Sequence, residues 1–343
     1  MPRRPPHGDP PIRPTLAMVA RSAGVSAPTA SKVLNGRADV SAETRARVER
    51  ALHDLQYSPP TGRSRSEERI VEIVFDDLLN PYSAEVYDGA AEAGLAAGVT
   101  VVPRRRADDS DSDWARRLKR SGRHGVVVVT SVLTPQQISR FERVGLPMVV
   151  IDAINPPRAE ITSIGSTNFT GGLTATQHLL DLGHRRIGHI TGPLTLACSV
   201  ARLHGYRAAL ENAGLPSTDA LVGTGPFTYE SGVSFASAWL TGAEPPTAVF
   251  AGSDQMAFGV IEAARLHGLR VPDDLSVVGY DDTFAAHTSS PPLTCVHQPL
   301  RQMGALAIET LLRIGAGEAV ASHHMELATY LQVRASTAAP QSA

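Results

Sequence analysis

Residues 15–57 read TLAMVARSAGVSAPTASKVLNGRADVSAETRARVERALHDLQY, and their caps, apolar positions and turns form the most informative pattern in the chain. Thr15, Ser26 and Ser41 each precede a run with apolar side chains about one turn apart, which predicts three short helices with hydroxyl N-caps. Gly24 lies where a left-handed residue would end the first helix. Two helices joined by a tight glycine-containing turn are typical of a helix-turn-helix unit. The spacing alone leaves a generic three-helix module as the alternative.

The charge of the chain is divided unevenly. Residues 1–66 hold 11 basic and 5 acidic residues, a net charge of +6, whereas the remainder holds 21 basic and 29 acidic residues, a net charge of −8. A small basic module on an acidic body favours a polyanionic partner for the small part. A solvated basic tail is the other interpretation that charge permits.

The composition narrows the class of protein. A length of 343 residues with 42 % hydrophobic and 19 % charged residues predicts a globular chain of two or three domains. Two cysteines are too few for a disulfide framework, and no apolar run approaches the roughly 18 residues of a membrane span. Residues 1–14 are rich in proline and lack an apolar core, which predicts a disordered tail and no secretory signal. We therefore expect a cytoplasmic protein without a membrane partner.

Beyond a proline- and serine-rich linker, apolar strands alternate with helices. Strands are predicted over 70–75, 99–102, 126–130, 148–151, 187–191, 247–251 and 276–280. Helices are predicted over 83–97, 170–182, 201–213 and 255–267. Strands that are apolar throughout and separated by helices indicate parallel sheets covered on both faces. The pattern is longer than one sheet usually needs, so we expect two α/β lobes with a ligand crevice at the carboxyl ends of the strands.

Longer segments carry a family resemblance. They are residues 15–59, DLGHRRIGHITGP (181–193), ARLHGYRAAL (201–210), AVFAGSDQMAFGVIEAARLHGLRVPDDLSVVGYDD (248–282), PPLTCVHQPLRQMG (291–304) and LQVRAST (331–337). Together they resemble the LacI/GalR family of bacterial transcription regulators. The resemblance implies a helix-turn-helix headpiece over 15–58, a hinge over 59–68 and a two-lobed, periplasmic-binding-protein-like effector-binding and dimerisation domain over 69–337. It also implies a homodimer on double-stranded operator DNA.

The resemblance places the start of a recognition helix at Ala27, facing base edges in the major groove. Ala27 and Pro28 occupy the positions that the family uses for specificity, and their side chains offer only apolar contacts, for example to a thymine methyl group. Lys32, one turn on, is expected to reach a guanine. The other expected DNA contacts, several of them to phosphates, are Thr15, Ser26, Thr29, Ser31 and Asn35. Helix packing is the alternative for Ala27 and Ala30.

The hinge departs from the family pattern. In the family a short helix forms here on operator DNA and inserts a leucine into the minor groove. The corresponding residues 59–66, PPTGRSRS, contain no leucine, and proline and glycine are poor helix formers. Arg63 and Arg65 are expected either to enter a narrow minor groove as an extended arm or to belong to a charged linker.

Effector-binding residues are carried over one at a time. Arg202 matches an arginine that grips effector hydroxyls, Asp281 a carboxylate that accepts hydrogen bonds, and Phe227 an aromatic ring that stacks on the effector. The other candidates around the expected crevice are Asp76, Asn80, Tyr82, Asp152 and Ser253. A surface or helix-capping role is the alternative for each. Arginine donors and carboxylate acceptors around an aromatic ring suit a neutral polyol, which favours a small sugar.

These features predict a ligand-responsive, sequence-specific DNA-binding regulator, a repressor of carbohydrate genes. A sugar-binding protein without a regulatory role is the alternative, against which the headpiece argues. An enzyme ranks last, because no pairing of a nucleophile with a base is visible in the sequence. The sequence also contains neither a G-x-x-x-x-G-K-[ST] phosphate loop nor a G-x-S-x-G nucleophile elbow. The twelve histidines are scattered, and we expect no metal and no cofactor.

Overall fold

The computed structural model describes residues 14–34, 37, 39–57, 69–106, 113–130, 133–153 and 161–341. The chain separates into two compact units, residues 1–67 and residues 68–343. The predicted disordered tail, apart from Pro14, and the predicted hinge lie outside the described residues, as do Asn35, Arg63 and Arg65.

The smaller unit contains the three expected helices, α1 (Leu16–Ser22), α2 (Ala27–Leu34) and α3 (Ala42–Asp54). The hydroxyls of Thr15, Ser26 and Ser41 each accept a hydrogen bond from a backbone N–H of the following turn, at 3.3–3.4 Å. Gly24 has a φ of +65°, so it makes the turn between α1 and α2 without the strain that a side chain would add. The buried core is made of small and branched side chains: Val19, Ala20, Ala23, Ala30, Val33, Val48 and Ala51.

The larger unit is built of two α/β lobes. The first contains β1 (Arg69–Phe75), α4 (Pro81–Ala96), β2 (Val99–Arg105), α5 (Trp114–Arg120), β3 (Arg123–Val129), α6 (Pro135–Val144), β4 (Met148–Ile151) and β5 (Thr162–Ser166). The second contains α7 (Asn168–Asp181), β6 (Ile187–Thr191), α8 (Ala197–Asn212), a 3₁₀ turn (Asp219–Leu221), β7 (Val222–Thr224), α9 (Tyr229–Leu240), β8 (Ala248–Ala251), α10 (Asp254–Leu266), β9 (Ser276–Asp281), α11 (Phe284–Thr288) and β10 (Thr294–His297).

The chain crosses between the lobes three times. After β10 it returns to the first lobe as α12 (Leu300–Gly315) and β11 (His324–Leu327), and it ends in the second lobe with β12 (Tyr330–Gln332). The first sheet has the order β11-β5-β4-β3-β1-β2 and is parallel throughout. The second has the order β12-β10-β9-β8-β6-β7, in which only β12 runs antiparallel. The predicted two-lobed fold with parallel sheets is confirmed.

Helices cover both faces of each sheet. In the first lobe α4 and α12 bury one face, and α5 and α6 bury the other. In the second lobe α7 and α8 lie on one side, and α9 and α10 on the other. The three crossings follow β5, β10 and β11, so they leave from the carboxyl ends of parallel strands. No helix among the described residues has the length and apolar character that a bilayer crossing requires.

Candidate DNA-reading surface and effector crevice

The start of α2 is exposed. Ala27 and Pro28 lie on the surface of the smaller unit, whereas Ala30 is fully buried in its core. Helix packing therefore accounts for Ala30 and leaves Ala27 accessible. Thr29 donates its backbone N–H to Ser26, and the two hydroxyls share a hydrogen bond of 2.8 Å, so this first turn is locally fixed.

Lys32 is exposed, and its ammonium lies 2.7 Å from a carboxylate oxygen of Asp39. Both side chains are more than half exposed, so this ion pair is weak and readily exchanged for another partner. Further arginines project from α1, α3 and the segment between α2 and α3: Arg21, Arg37, Arg45, Arg47 and Arg50. Positive charge of this density is what the phosphate backbone of DNA attracts.

In the second lobe Arg202 lies on α8, with only 3 % of its surface exposed. Its guanidinium donates to the side-chain oxygen of Asn168 at 2.8 Å and to the carbonyl oxygen of Gly252 at 2.6 Å. The guanidinium carbon lies 3.7 Å from the centre of the Tyr280 ring and 5.7 Å from that of Phe227. Hydrogen bonds and ring stacking thus hold this arginine in one orientation, as a preorganised binding site requires.

Asp281 ends β9 beside Arg202, with 3.9 Å between their charged atoms. Gln298 donates to the Asp281 carboxylate at 2.6 Å and accepts from the Ser166 hydroxyl at 2.5 Å, which joins the site to the first crossing between the lobes. Asp281 has a φ of +105°, a strained value of the kind that concentrates at functional sites. Burial raises the pKa of Asp281 well above its ordinary value, although Arg202 opposes this effect.

The first lobe contributes Tyr82, from the first turn of α4, and Asp152, directly after β4. The Tyr82 hydroxyl donates to one carboxylate oxygen of Asp152 at 2.6 Å. Asp152 is 5 % exposed and has a φ of +49°. Burial raises the pKa of Asp152, while Tyr82 and Arg202 favour its charged form. The pKa of Tyr82 is raised chiefly by burial, and further by Asp152, to which its hydroxyl donates, and by the charge of Asp281.

The remaining candidate effector-binding residues differ in the local contacts that their side chains make. Phe227 is half-buried and packs against Gly192, where a Cβ atom would clash with its ring. The side chains of Asn80 and Ser253 accept hydrogen bonds from the first turns of α4 and α10. Asp76 is exposed and lies 3.6 Å from Arg106. The structure thus brings Tyr82, Asp152, Arg202 and Asp281 together with Phe227, and gives Asn80 and Ser253 capping roles.

Sequence reasoning missed three residues of the crevice. Tyr280 carries the guanidinium of Arg202 on its ring, Asn168 accepts from it, and Gln298 orients Asp281. Tyr280 stands directly before Asp281, so its place in the motif was a usable signal. Asn168 and Gln298 lie at the crossings between the lobes, which no local pattern reveals.

Two family models and several known proteins match this chain. The family model "Bacterial regulatory proteins, lacI family" matches residues 15–60, and "Periplasmic binding protein-like domain" matches residues 176–337. The HTH-type transcriptional regulator CelR of Thermobifida fusca is 35 % identical over 339 residues, which cover 94 % of this chain and 98 % of the relative. The chain belongs to the LacI family of bacterial regulatory proteins.

Other relatives and solved structures are similar to this chain along nearly its whole length. DegA of Bacillus subtilis is 31 % identical over 95 % of this chain and 98 % of its own. The solved structure of a CelR–cellobiose complex is 34 % identical, covers 94 % of this chain and all of its own, and gives a TM-score of 0.73. The lac repressor dimer bound to operator and the anti-inducer ONPF is 28 % identical, over 95 % of this chain and 99 % of its own, with a TM-score of 0.77. This LacI-family chain is a DNA-binding transcriptional regulator.

Proposed function

We propose that this regulator is a homodimeric repressor of carbohydrate genes, and that a neutral sugar in the crevice between its lobes controls its hold on operator DNA. The observation that carries the proposal is the buried set of Arg202, Asp281 and Asp152, which offers hydrogen-bonding groups from both lobes to one ligand. A solved relative is a complex with cellobiose, which supports a sugar as the class of ligand.

The chemistry of the crevice favours a neutral ligand over an anion. One guanidinium stands near two carboxyl groups, so no excess of positive charge remains to hold a carboxylate or phosphate ligand. The guanidinium donates hydrogen bonds and the carboxyl oxygens accept them, which suits sugar hydroxyl groups because these both accept and donate. The half-buried ring of Phe227 offers an apolar face to the C–H side of a sugar ring.

On the DNA side, we assign the base contacts to the exposed start of α2 and to Lys32. Ala27 and Pro28 supply apolar contacts, and Lys32 supplies a donor to guanine. The other assigned contacts are Thr15, Ser26, Thr29, Ser31, Asn35, Arg63 and Arg65. A ligand controls such binding only through different affinities for two arrangements of the lobes, and closure of the crevice is the motion that a ligand touching both lobes would drive. In a homodimer, closure would move the two headpieces relative to half-sites about one helical turn apart.

The test uses calorimetric titration of neutral sugars into wild type and Asp281→Ala, together with operator binding for both, on a site obtained by binding-site selection. We expect Asp281→Ala to lose sugar binding and the sugar response while it keeps operator affinity. Asp273→Ala, an exposed aspartate paired with Arg270, is the matched control and should behave as wild type. Wild-type sugar affinity in Asp281→Ala would show that the assigned pocket is wrong. Loss of operator binding as well would show that Asp281 maintains the fold.

A further inference from the structure

The crevice continues past Asp152 into a side cavity of about 420 Å³. One wall belongs to the first lobe and is formed by β5 and by β11 at the edge of the sheet. The other wall belongs to the second lobe and is formed by the first turns of α7 and α8. The volume lies within the roughly 300–1,000 Å³ typical of small-molecule sites, so it is large enough to hold part of a ligand.

The side cavity is lined by neutral polar side chains and by two carboxyl groups. Asp152 stands at its inner end and Glu326 on β11, and no Lys or Arg side chain is present among the described residues that line it. The second carboxylate oxygen of Asp152 is buried and has no hydrogen-bond partner among the described residues. It points toward Gly165, where an added Cβ atom would lie 3.5 Å away. A buried acceptor without a donor is costly, so this end of the cavity favours a hydroxyl-bearing ligand.

The apolar part of the side cavity suits a sugar ring. Phe169, in the first turn of α7, contributes to the lining although 46 % of its surface is exposed. Ala197 and Ala201 of α8 leave space opposite because their side chains are small. An exposed aromatic ring beside small residues and acceptors is the arrangement that packs against the C–H face of a sugar while its hydroxyls find partners.

We propose that the side cavity is a second glycosyl subsite, and that the effector is a neutral glycoside or oligosaccharide of at least two units. One unit lies at Arg202 and Asp281, and the next lies beside Asp152, Phe169 and Glu326. Asp152 lines the side cavity and accepts from Tyr82 of the first set of residues, so we place the glycosidic link beside it. This inference rests on the proposed sugar effector. It adds recognition of the length of the sugar to recognition of its first unit.

The experiment measures sugar affinity of the full chain by calorimetry with matched pairs: glucose with cellobiose and maltose, and galactose with lactose. We expect at least one disaccharide to bind at least about tenfold more tightly than its parent monosaccharide. Phe169→Ala and Glu326→Gln should weaken the disaccharide by about tenfold and about threefold and leave the monosaccharide unchanged. Ala197→Leu, which narrows the side cavity, should weaken binding of the disaccharide only. Leu266→Ala, which removes a side chain 59 % exposed outside the cavity, is the control and should change neither affinity.

The outcomes separate this inference from the proposed function. Equal affinity for a monosaccharide and its disaccharides, with sensitivity to Asp281→Ala, would overturn the second subsite and leave the sugar sensor intact. Equal weakening of both sugars by Phe169→Ala and Ala197→Leu would also overturn it, because the change would then act on the first unit. If no sugar of either length binds wild type, the proposed effector class and the second subsite both fail.

Discussion

His189 lies within β6, with its ring stacked on Tyr206 and Phe250 at centroid distances of 5.0 and 4.5 Å. Burial lowers its pKa from 6.5 to about 3. Below pH 6.5 the unfolded chain therefore binds a proton that the folded chain does not, and the free energy of unfolding falls as the pH falls toward 3. We expect His189 to cost about 2 kcal/mol of stability between pH 7 and pH 5.

The measurement is urea unfolding of wild type and His189→Phe at pH 7 and pH 5. Phenylalanine preserves the ring stack and removes the titration, so the loss of stability on acidification should be smaller by about 2 kcal/mol. The difference between the two pH values is the quantity of interest, because the variant also removes the hydrogen bond from His189 to the Phe250 carbonyl. An equal pH dependence in both proteins would contradict a neutral, buried His189.

A second prediction for a single residue concerns Lys32 and the base that it contacts. If it reads a guanine, Lys32→Ala should relax the preference at one base position per half-site, at a cost of roughly 1–3 kcal/mol. Asp39→Asn, which removes its exposed partner, should keep that preference and strengthen binding uniformly by removing a negative charge. Binding-site selection with the three proteins distinguishes these outcomes. An unchanged preference in Lys32→Ala would mean that this residue contacts only the phosphate backbone.

Among secondary-structure elements, α4 and α12 cross at unusually close range. A Cβ atom at Gly304 would clash with the carbonyl oxygen of Val86, and one at Gly89 would clash with that of Arg301. Gly304→Ala should therefore destabilise the first lobe by about 1–3 kcal/mol or more. Gly315→Ala, in the same helix with 3.6 Å to its nearest neighbour, should be neutral or stabilising by up to about 1 kcal/mol. Urea unfolding of both variants tests the contrast, and equal stabilities would contradict this account of the crossing.

The elements also show what the sequence could predict. The sequence predicts the bounds of β4 and β6 to the residue and those of α4, α7 and α10 within two residues, whereas α8 begins four residues before its predicted start at 201. The strand β5, TSIGS, is not predicted by the sequence, since Ile164 is its only large apolar residue. Its neighbour β11 lies some 160 residues later in the chain, so nothing local marks the pair. The side cavity lies along this pair, and for that reason sequence reasoning found Arg202 and Asp281 but not the cavity.

At the scale of the larger unit, a hydrogen bond between two described residues joins the lobes away from the ligand groups. The backbone N–H of Phe284, in the second lobe, donates to the carboxylate of Glu85, in the first, at 2.7 Å. Glu85 lies one turn after Tyr82 on α4. Loss of this hydrogen bond should shift the equilibrium between lobe arrangements away from the one in which Tyr82 and Asp152 face Arg202.

We therefore expect Glu85→Ala to weaken sugar binding by about tenfold, or roughly 1.4 kcal/mol, although it touches none of the assigned ligand groups. Calorimetry with the sugar that wild type binds provides the measurement. Glu92→Ala, which breaks an exposed ion pair with Arg301, is the control and should keep wild-type affinity. Unchanged affinity in Glu85→Ala would show that this bond does not bias the lobes.

The triple crossing between the lobes sets an order of events on the ribosome. One face of the first sheet is covered by Leu300, Met303 and Ile308 of α12, which are synthesised after β10 of the second lobe. At a synthesis rate of about 5–20 residues per second, that face stays uncovered for roughly 10 to 45 seconds after β1 has emerged. The helix-turn-helix unit has its own core within residues 16–57 and waits for nothing downstream. The nascent chain can thus fold its helix-turn-helix unit long before its two-lobed unit is complete.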